Sequence, residues 1–353
     1  YSDGTCPSLL LEPTATNLVT YSEDFSNGSW SKTRSSVLIN NSISPNGNLT
    51  ADKIIPSTDN STHRVDFNYA LTDNSTYTYS IFAKKGEYNC FALQIGNTSI
   101  SPDSAEFNLN TGVSTSGGGT IISSKIEPLA NDWFKCSLTM LAGVSDIVNL
   151  GIGNDNVYSF AGDGTGGLYL WGAQLEENSY STSYIKNEGT ALGVTRVADT
   201  ATGSGSSTVI NSSEGVLYAE ISVDEDIDVN LNITLSTGVH EENLVKIIYI
   251  PSETQLKAQI YGANNTILTT VSYASFALGQ YNKVAVSYSL TLLNLYVNGS
   301  QVASTSVNGS AVGLNSLSFD RADGAGNFYG KTKSLQVYTT ALSDAELISL
   351  TTI

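Results

Sequence analysis

The stretch Tyr281–Ser304 reads YNKVAVSYSLTLLNLYVNGSQVAS. Apolar residues recur at every second position, Val284 and Val286 in the first run, Leu293 and Leu295 in the second. A period of two is that of a strand with one buried face; an amphipathic helix would repeat near about 3.6. Asn298-Gly299 stands between two such runs, and both residues tolerate the positive φ that a type I′ hairpin turn requires. The reading is antiparallel sheet, and SVNGSAV at 306–312 offers a second Asn-Gly turn.

The same pattern extends in both directions. HRVDFNYAL (63–71), TYTYSIFAK (76–84), WFKCSLTML (133–141), GLYLWGAQL (167–175), GVLYAEISV (215–223) and NLVKIIYIP (243–251) all read as half-buried strands. Turn signals punctuate them, among them SPNG, TDNS, GGG and GDGTGG. Helical periodicity is confined to the tail SDAELISLTTI, where Ser343 and Glu346 form a capping-box pair. The fold class is all-β: two β-sandwich (jelly-roll) domains in series, closed by a short C-terminal helix. Between them the strand pattern lapses into KNEGTALGVTRVADTATGSGSSTVINSSEG, rich in Gly, Ser and Thr. The division predicted is 1–16, a connecting tail; 17–185, the first sandwich; 186–213, a linker; and 214–353, the second sandwich.

Composition narrows the function. Charged residues are only 14% of the 353, and the formal net charge is -17. An acidic chain repels phosphate backbones, which argues against nucleic-acid binding. No stretch approaches the roughly 20 apolar residues that span a bilayer as a helix. The 19 Tyr and the abundant Ser, Thr and Asn suit sheets whose solvent faces carry hydroxyls and amides. Cys6, Cys90 and Cys136 are too few for a disulfide framework. Cys90 and Cys136 read as small buried hydrophobes, with a bridge between them left open. His63 and His240 lie in different halves of the chain, so zinc sites and Cys/His nucleophile pairs lack ligands. Tyr1, without a preceding Met, reads as a cleavage point or an internal residue of a longer polypeptide.

Two family resemblances follow. YNKVAVSYSLTLLNLYVNGSQVAS and KTKSLQVYTTALSDAELISL (331–350) resemble the laminin-G-like, concanavalin-type sandwiches. Glycanases of that superfamily carry paired Glu in an ExDxxE-like pattern, which is absent here. NLVTYSEDFSNGSW (17–30), NDWFKCSLTM (131–140) and GLYLWGAQLEE (167–177) resemble the jelly-roll carbohydrate-binding modules of bacterial glycanases. Those modules often place Asp-Asp of a structural Ca²⁺ where this chain has Trp171-Gly172. Together with CPSLLLEPTATNL, the arrangement is similar to tail-fibre and other surface proteins of tailed bacteriophages. That resemblance implies a virion-surface protein, a homotrimer, other virion proteins as neighbours, and host-surface glycan as ligand.

Individual residues follow from these readings. Trp133 and Trp171 alternate with apolar neighbours and read as core. Trp30, at a loop exit, and the loop tyrosines Tyr158, Tyr180 and Tyr184 are the candidate sugar platforms, since an aromatic face stacks on a pyranose. Asp163 in SFAGDGTGGLY, with Asp155 shortly before it, and Asp320 and Asp323 in FDRADGAGNFYG sit in or beside Gly-rich loops that can turn oxygens toward Ca²⁺. Asp163, Asp320 and Asp323 are the metal candidates; plain turns are the alternative. No cofactor is required, and Ca²⁺ is the metal such loops can take. No Gly-x-Ser-x-Gly elbow, phosphate loop or readable carboxylate pair supports an enzyme. The expected function is non-enzymatic glycan binding through weak multivalent contacts. A polysaccharide depolymerase or its accessory module, and a capsid-decoration or spacer role, are the alternatives.

Overall fold

The structure, a computed structural model, describes residues 8–96, 104–143, 147–153, 157–223 and 229–353. Tyr1, Cys6, Asp155 and much of the acidic run VDEDIDV lie outside the described residues. The fold is nearly all-β, with one α-helix among the described residues. Two compact units form: residues 14–197, and residues 1–13 together with 198–353.

The 14–197 unit is a sandwich of two antiparallel sheets. One sheet runs Val113–Gly117, Ser104–Asn108, Cys90–Gly96, Ile147–Gly153, Ser61–Asn68, Ser159–Phe160, and Trp30–Thr33 also pairs with Ser61–Asn68. The other runs Ile121–Pro128, Trp133–Leu141, Thr76–Lys84, Leu168–Glu176, Leu49–Pro56, Ser35–Ile43. Alternation sends Val65, Phe67, Leu93, Phe107, Leu150 and Ile152 from the first sheet against Tyr79, Ile81, Leu138, Leu170 and Leu175 from the second. Trp133 and Trp171 are buried as expected, but outside this main core. With Ala51 they form a second cluster on the far face of the six-stranded sheet, joined by Phe82, Tyr169 and Tyr184. Gly172 has φ +64 there, and a Cβ would stand 3.0 Å from Phe82 and 3.3 Å from Tyr184. Trp171-Gly172 thus has a packing role where the resembling modules carry carboxylates. Cys90 and Cys136 are buried and are not joined by a disulfide.

Buried side-chain amides close this unit. Asn17, fully buried, donates to Ala173 O (3.1 Å) and Ile185 O (2.7 Å) and accepts from the amides of Val19 (3.0 Å) and Leu175 (3.2 Å). All four hydrogen-bonding positions of the amide are filled. Asn187 and Ser22 extend the seam: Ser22 Oγ accepts from Asn187 N at 2.9 Å, and Asn187 Oδ1 accepts from Gly189 and Thr190. Val194–Arg196 then pairs with Ala15–Asn17. The stretch 186–213 is therefore hydrogen-bonded at both ends. Its first part joins this unit, and Ser204 bridges Leu317 in the other.

The second unit stacks two antiparallel sheets. One is ordered Leu9–Leu11, Gly330–Tyr338, Gly215–Ser222, Asn282–Tyr288, Leu292–Val297, Ser300–Ser306; the other Ile267–Tyr273, Gln255–Tyr261, Leu244–Ile250, Leu231–Ser236, Ser316–Ser318. Part of the connecting tail is placed as the edge strand Leu9–Leu11 beside Gly330–Tyr338, with Leu11 buried. Asn298 (φ 50) and Gly299 (φ 80) make the expected two-residue turn. Asn308-Gly309 does not: it lies in the 307–315 connection, and only Gly309 has positive φ. The helix Asp344–Thr351 starts on the predicted capping box of Ser343 and Glu346. Leu347 packs on Val216, Tyr218, Ala285 and Tyr296, and Tyr296 Oη donates to Asp344 at 2.6 Å.

Two outcomes test this account. Asn17→Ala leaves two carbonyls and two amides without partners, and should lower stability by about 2–4 kcal/mol in denaturant unfolding. A loss below about 0.5 kcal/mol, the scale of ordinary surface substitutions, would show that the seam is dispensable. The second concerns Asp52, 1% exposed, which accepts from Phe25 N and Asn40 N at 2.9 Å each. Burial, reinforced by Asp24 and Glu23, pushes its carboxyl up to about 6 against those two bonds. Because the folded value is raised, its contribution is full below an ordinary carboxyl's 3.8 and is lost as pH rises through about 6. Stability should fall by roughly 1–2 kcal/mol across that window, and Asp52→Asn should flatten the slope. Equal slopes in both proteins would refute the assignment.

Candidate functional site

Alternation that buries Val65, Phe67, Val148, Leu150, Phe91 and Leu93 turns the intervening residues to the other face of the seven-stranded sheet. Register sets them in rows. Asp66 stands opposite Ser31 on one side and Asn149 on the other, and Asn149 opposite Gln94. In the next row Arg64 opposes Thr33 and Gly151, Gly151 opposes Ala92, and Ala92 opposes Glu106. In the third, Gly153 opposes Cys90 and Cys90 opposes Asn108. Small residues thus separate Arg64 from Glu106, beside a row of carboxylate and amides.

These polar groups are largely out of water. Asp66 is 7% exposed, Gln94 2% and Asn149 1%. Arg64 Nε lies 3.6 Å from Asp66 Oδ2, an ion pair without hydrogen-bond geometry. Arg64 Nε and Asp66 Oδ1 are buried with no hydrogen-bond partner. Burial raises the Asp66 carboxyl above its usual range, with the Arg64 charge opposing the shift. Buried polar atoms are nearly always paired, and unpaired ones cost about 1–3 kcal/mol each. A face that keeps a guanidinium edge and a carboxylate oxygen unpaired can offer one donor and one acceptor to a hydroxylated ligand.

Tyr158 joins this face. Its ring lies where a Cβ on Gly153 would sit, 2.8 Å from Tyr158 Cε1 and 2.8 Å from Cys90 Sγ. Its hydroxyl is a third buried group without a partner, and burial holds its pKa far above the phenol range. Tyr158 is half-buried rather than the free loop platform expected.

The other sequence-derived candidates go elsewhere. Trp30 is a correction: it is 1% exposed, packed 4.8 Å from Phe25 and 5.4 Å from Phe67 in the core, with Nε1 donating to Tyr21 O. Its strand Trp30–Thr33 pairs with Ser61–Asn68, and this pairing turns the indole inward opposite Phe67. Tyr184 stacks 4.6 Å from Trp171 and shares a 2.6 Å bond with Ser22. It covers the six-stranded sheet, away from Tyr158. Tyr180 is half-buried in the same segment, where Asn178, Ser179 and Thr182 accept through their carbonyls from Thr78, Thr139 and Lys135. The platforms do not converge.

Nor do the metal candidates. Asp163 Oδ1 accepts from Thr165 N (2.8 Å) and Gly166 N (2.6 Å), which holds its carboxyl below the usual range: a turn. Asp320 Oδ1 accepts from Ala322 N at 2.6 Å, and burial raises its carboxyl. Asp323 takes Arg321 Nε at 3.0 Å and Ala325 N at 3.1 Å. Among the described residues no group of three or more His, Cys, Asp or Glu is placed to hold a metal ion. Composition could not show this, because side-chain oxygens bound to local amides look identical in sequence to free ligands.

Asp66, Gln94, Asn149, Glu106 and Arg64 carry no motif that marks them in the sequence as a site. The signal was present in HRVDFNY: charges alternating with core residues. Only strand pairing brings it beside VNLGIGN and CFALQIG.

A family comparison agrees with the concanavalin-type reading of the second sandwich. Residues 233–348, less than half of the chain, match the Concanavalin A-like lectin/glucanases superfamily. No curated protein matches. Among solved structures, the chain is similar to the Ruminococcus gnavus IT-sialidase CBM40 bound to α2,3-sialyllactose, at 18% identity over 43% of this chain and 94% of that one, TM-score 0.33. It is also similar to a heptameric SAP-like pentraxin from Limulus polyphemus, at 15% identity over 42% and 72%, TM-score 0.34. Mouse laminin α1 LG4-5 shares 12% identity over 81% of this chain and 90% of that chain, TM-score 0.29. At such identities and TM-scores these likenesses carry no argument about this chain.

The unpaired ion pair yields a stability test. Arg64→Met strands Asp66 as a buried lone carboxylate and should cost about 3 kcal/mol in denaturant unfolding, whereas Arg64→Met/Asp66→Leu should stay within about 1 kcal/mol of the parent. If the double variant is as damaged as the single one, the pair is not a buried, weakly matched charge pair. The C-terminal 233–348 region thus matches the Concanavalin A-like lectin/glucanases superfamily, within a chain built of two β-sandwiches.

Proposed function

We propose that the chain is a non-enzymatic glycan-binding protein whose first ligand face is the Arg64–Asp66–Asn149–Gln94 side of the seven-stranded sheet. One observation carries the reading: Arg64 Nε, Asp66 Oδ1 and Tyr158 Oη stay buried and unpaired on a single face. Sugar hydroxyls donate and accept at once, so they can satisfy all three. The raised Tyr158 phenol is a poor base at neutral pH, which supports binding over lyase chemistry. A single shallow site binds weakly, and several copies on one assembly would raise avidity by roughly 10²–10⁴. The resemblance to phage fibre proteins supports a virion-surface setting, a homotrimer and a host-surface glycan. Light scattering tests the trimer.

The ligand test is a glycan array followed by calorimetric titration of the best hit. Arg64→Met/Asp66→Leu should weaken binding at least about tenfold, equivalent to 1.4 kcal/mol, while remaining folded. Tyr158→Phe should weaken it less. Unchanged affinity in the double variant would remove this face as the site, and turnover of any glycan on the array would restore the depolymerase alternative.

A further inference from the structure

The second sandwich holds a buried cation with no ion-pair partner among the described residues. Lys246 lies in Leu244–Ile250, opposite Thr234 and Gln259, and is 4% exposed. Val245, Ile247 and Tyr249, its alternates, face the other way, opposite Leu235, Ile233 and Leu231. Lys246 Nζ stands 4.9 Å from the centre of the Tyr261 ring. Among the described residues it has no hydrogen bond and no ion pair. An ammonium has three donors and a strong preference for water, so such burial is costly.

No carboxylate among the described residues forms an ion pair with Lys246. Asp323 is held by Arg321 Nε at 3.0 and 3.2 Å. Glu241 faces His240 Nε2 at 3.6 Å. Burial lowers the Lys246 pKa, Arg321 adds to that shift, and Glu241 opposes it. Arg321 commits only Nε to Asp323, which leaves its terminal nitrogens open on a side chain 42% exposed. The loop that carries Arg321 is fixed over the same sheet face: Thr234 Oγ1 donates to Asp320 O at 2.6 Å, and Asn232 Nδ2 to Gly326 O at 2.8 Å. Asn232 Oδ1 and Asn327 Oδ1 are buried there without partners. An ammonium, an aromatic face, the Arg321 guanidinium and two unpaired amide oxygens are thus gathered at one sheet face and the loop over it.

We propose that this face, centred on Lys246 with Arg321 at its rim, binds the anionic group of an acidic glycan, a sugar carboxylate or sulfate ester. The anion supplies the missing counter-charge to the ammonium. The Tyr261 ring offers a stacking surface for the sugar, and the Asn232 and Asn327 carbonyl oxygens accept from its hydroxyls. The site belongs to the second sandwich and stands independently of the Arg64 face.

The test titrates the full chain with three probes: an oligoglucuronate, a sulfated oligosaccharide of equal length, and a neutral glucose oligosaccharide. At least one acidic probe should bind in preference to the neutral one. Lys246→Met, which keeps the stem and removes the charge, should weaken that binding about tenfold or more. Arg321→Gln, at an exposed position that does not threaten folding, should weaken it by about threefold, on the scale of a single exposed charge contact. Preference for the oligoglucuronate assigns a carboxylate, and preference for the sulfated probe assigns a sulfate ester. Undiminished acidic binding in Lys246→Met, or in Arg321→Gln should the former not fold, overturns the proposal. So does failure of both acidic probes to bind at millimolar concentration. Loss of acidic binding in Arg64→Met/Asp66→Leu alone would move the anion site to the first sandwich and equally overturn it.

Discussion

The first sandwich depends on the buried amide of Asn17. A jelly roll must bring the beginning of its chain back to the end, and among the described residues no long ladder does so: Ala15–Asn17 and Val194–Arg196 pair over three residues. The Asn17 side chain does so instead, reaching Ala173 and Ile185 as donor and Val19 and Leu175 as acceptor. With all four positions filled, the amide pays no penalty for leaving water. Ser22 and Asn187 continue the seam, and the strand 15–17 then has a partner in 194–196. The segment across the outer face of the six-stranded sheet is held in the same way, with Lys135, Thr78 and Gln174 donating to its carbonyls. Where a charge-rich protein would use surface ion pairs, this one uses amides and hydroxyls in the interior.

That habit explains the polar composition. Seven of the thirteen non-glycine residues at positive φ among those described are Asn. Asn enters the left-handed region more readily than most residues, because its short polar side chain bonds locally. The same residue type therefore serves as turn former, seam and face. It also makes the unpaired groups conspicuous. In a structure that satisfies most of its buried amides, Arg64 Nε, Asp66 Oδ1 and Tyr158 Oη stand out, and so does Lys246, a buried residue with no ion pair among the described residues. Each lies on a sheet face, where a rigid scaffold holds it in position for a ligand.

The division between the readable and the unreadable runs through single residues. Asn298-Gly299 was legible because a two-residue turn is decided by the φ its own residues tolerate. The helix start at Ser343 was legible for the same local reason. Trp133 and Trp171 were legible as buried because alternation alone separates the faces of a strand. Trp30 was not: its four-residue strand gives too little pattern, and only pairing with Ser61–Asn68 sends it inward. Asp163, Asp320 and Asp323 sit in the loops their glycines announce, but their oxygens are bound to neighbouring amides and to Arg321.

By itself the sequence determined the strands, their buried faces, several turns and the all-β class, since each depends on residues a few positions apart. Tertiary structure alone decided which strands are neighbours. Strand order is set by contacts between residues far apart in the chain, and no local propensity encodes it. Pairing placed Asp66 beside Asn149, Arg64 across Gly151, and Lys246 under the loop of Arg321. The candidate sites are products of that long-range register, which is why the composition announced a polar protein without saying where its polar groups would be left unpaired.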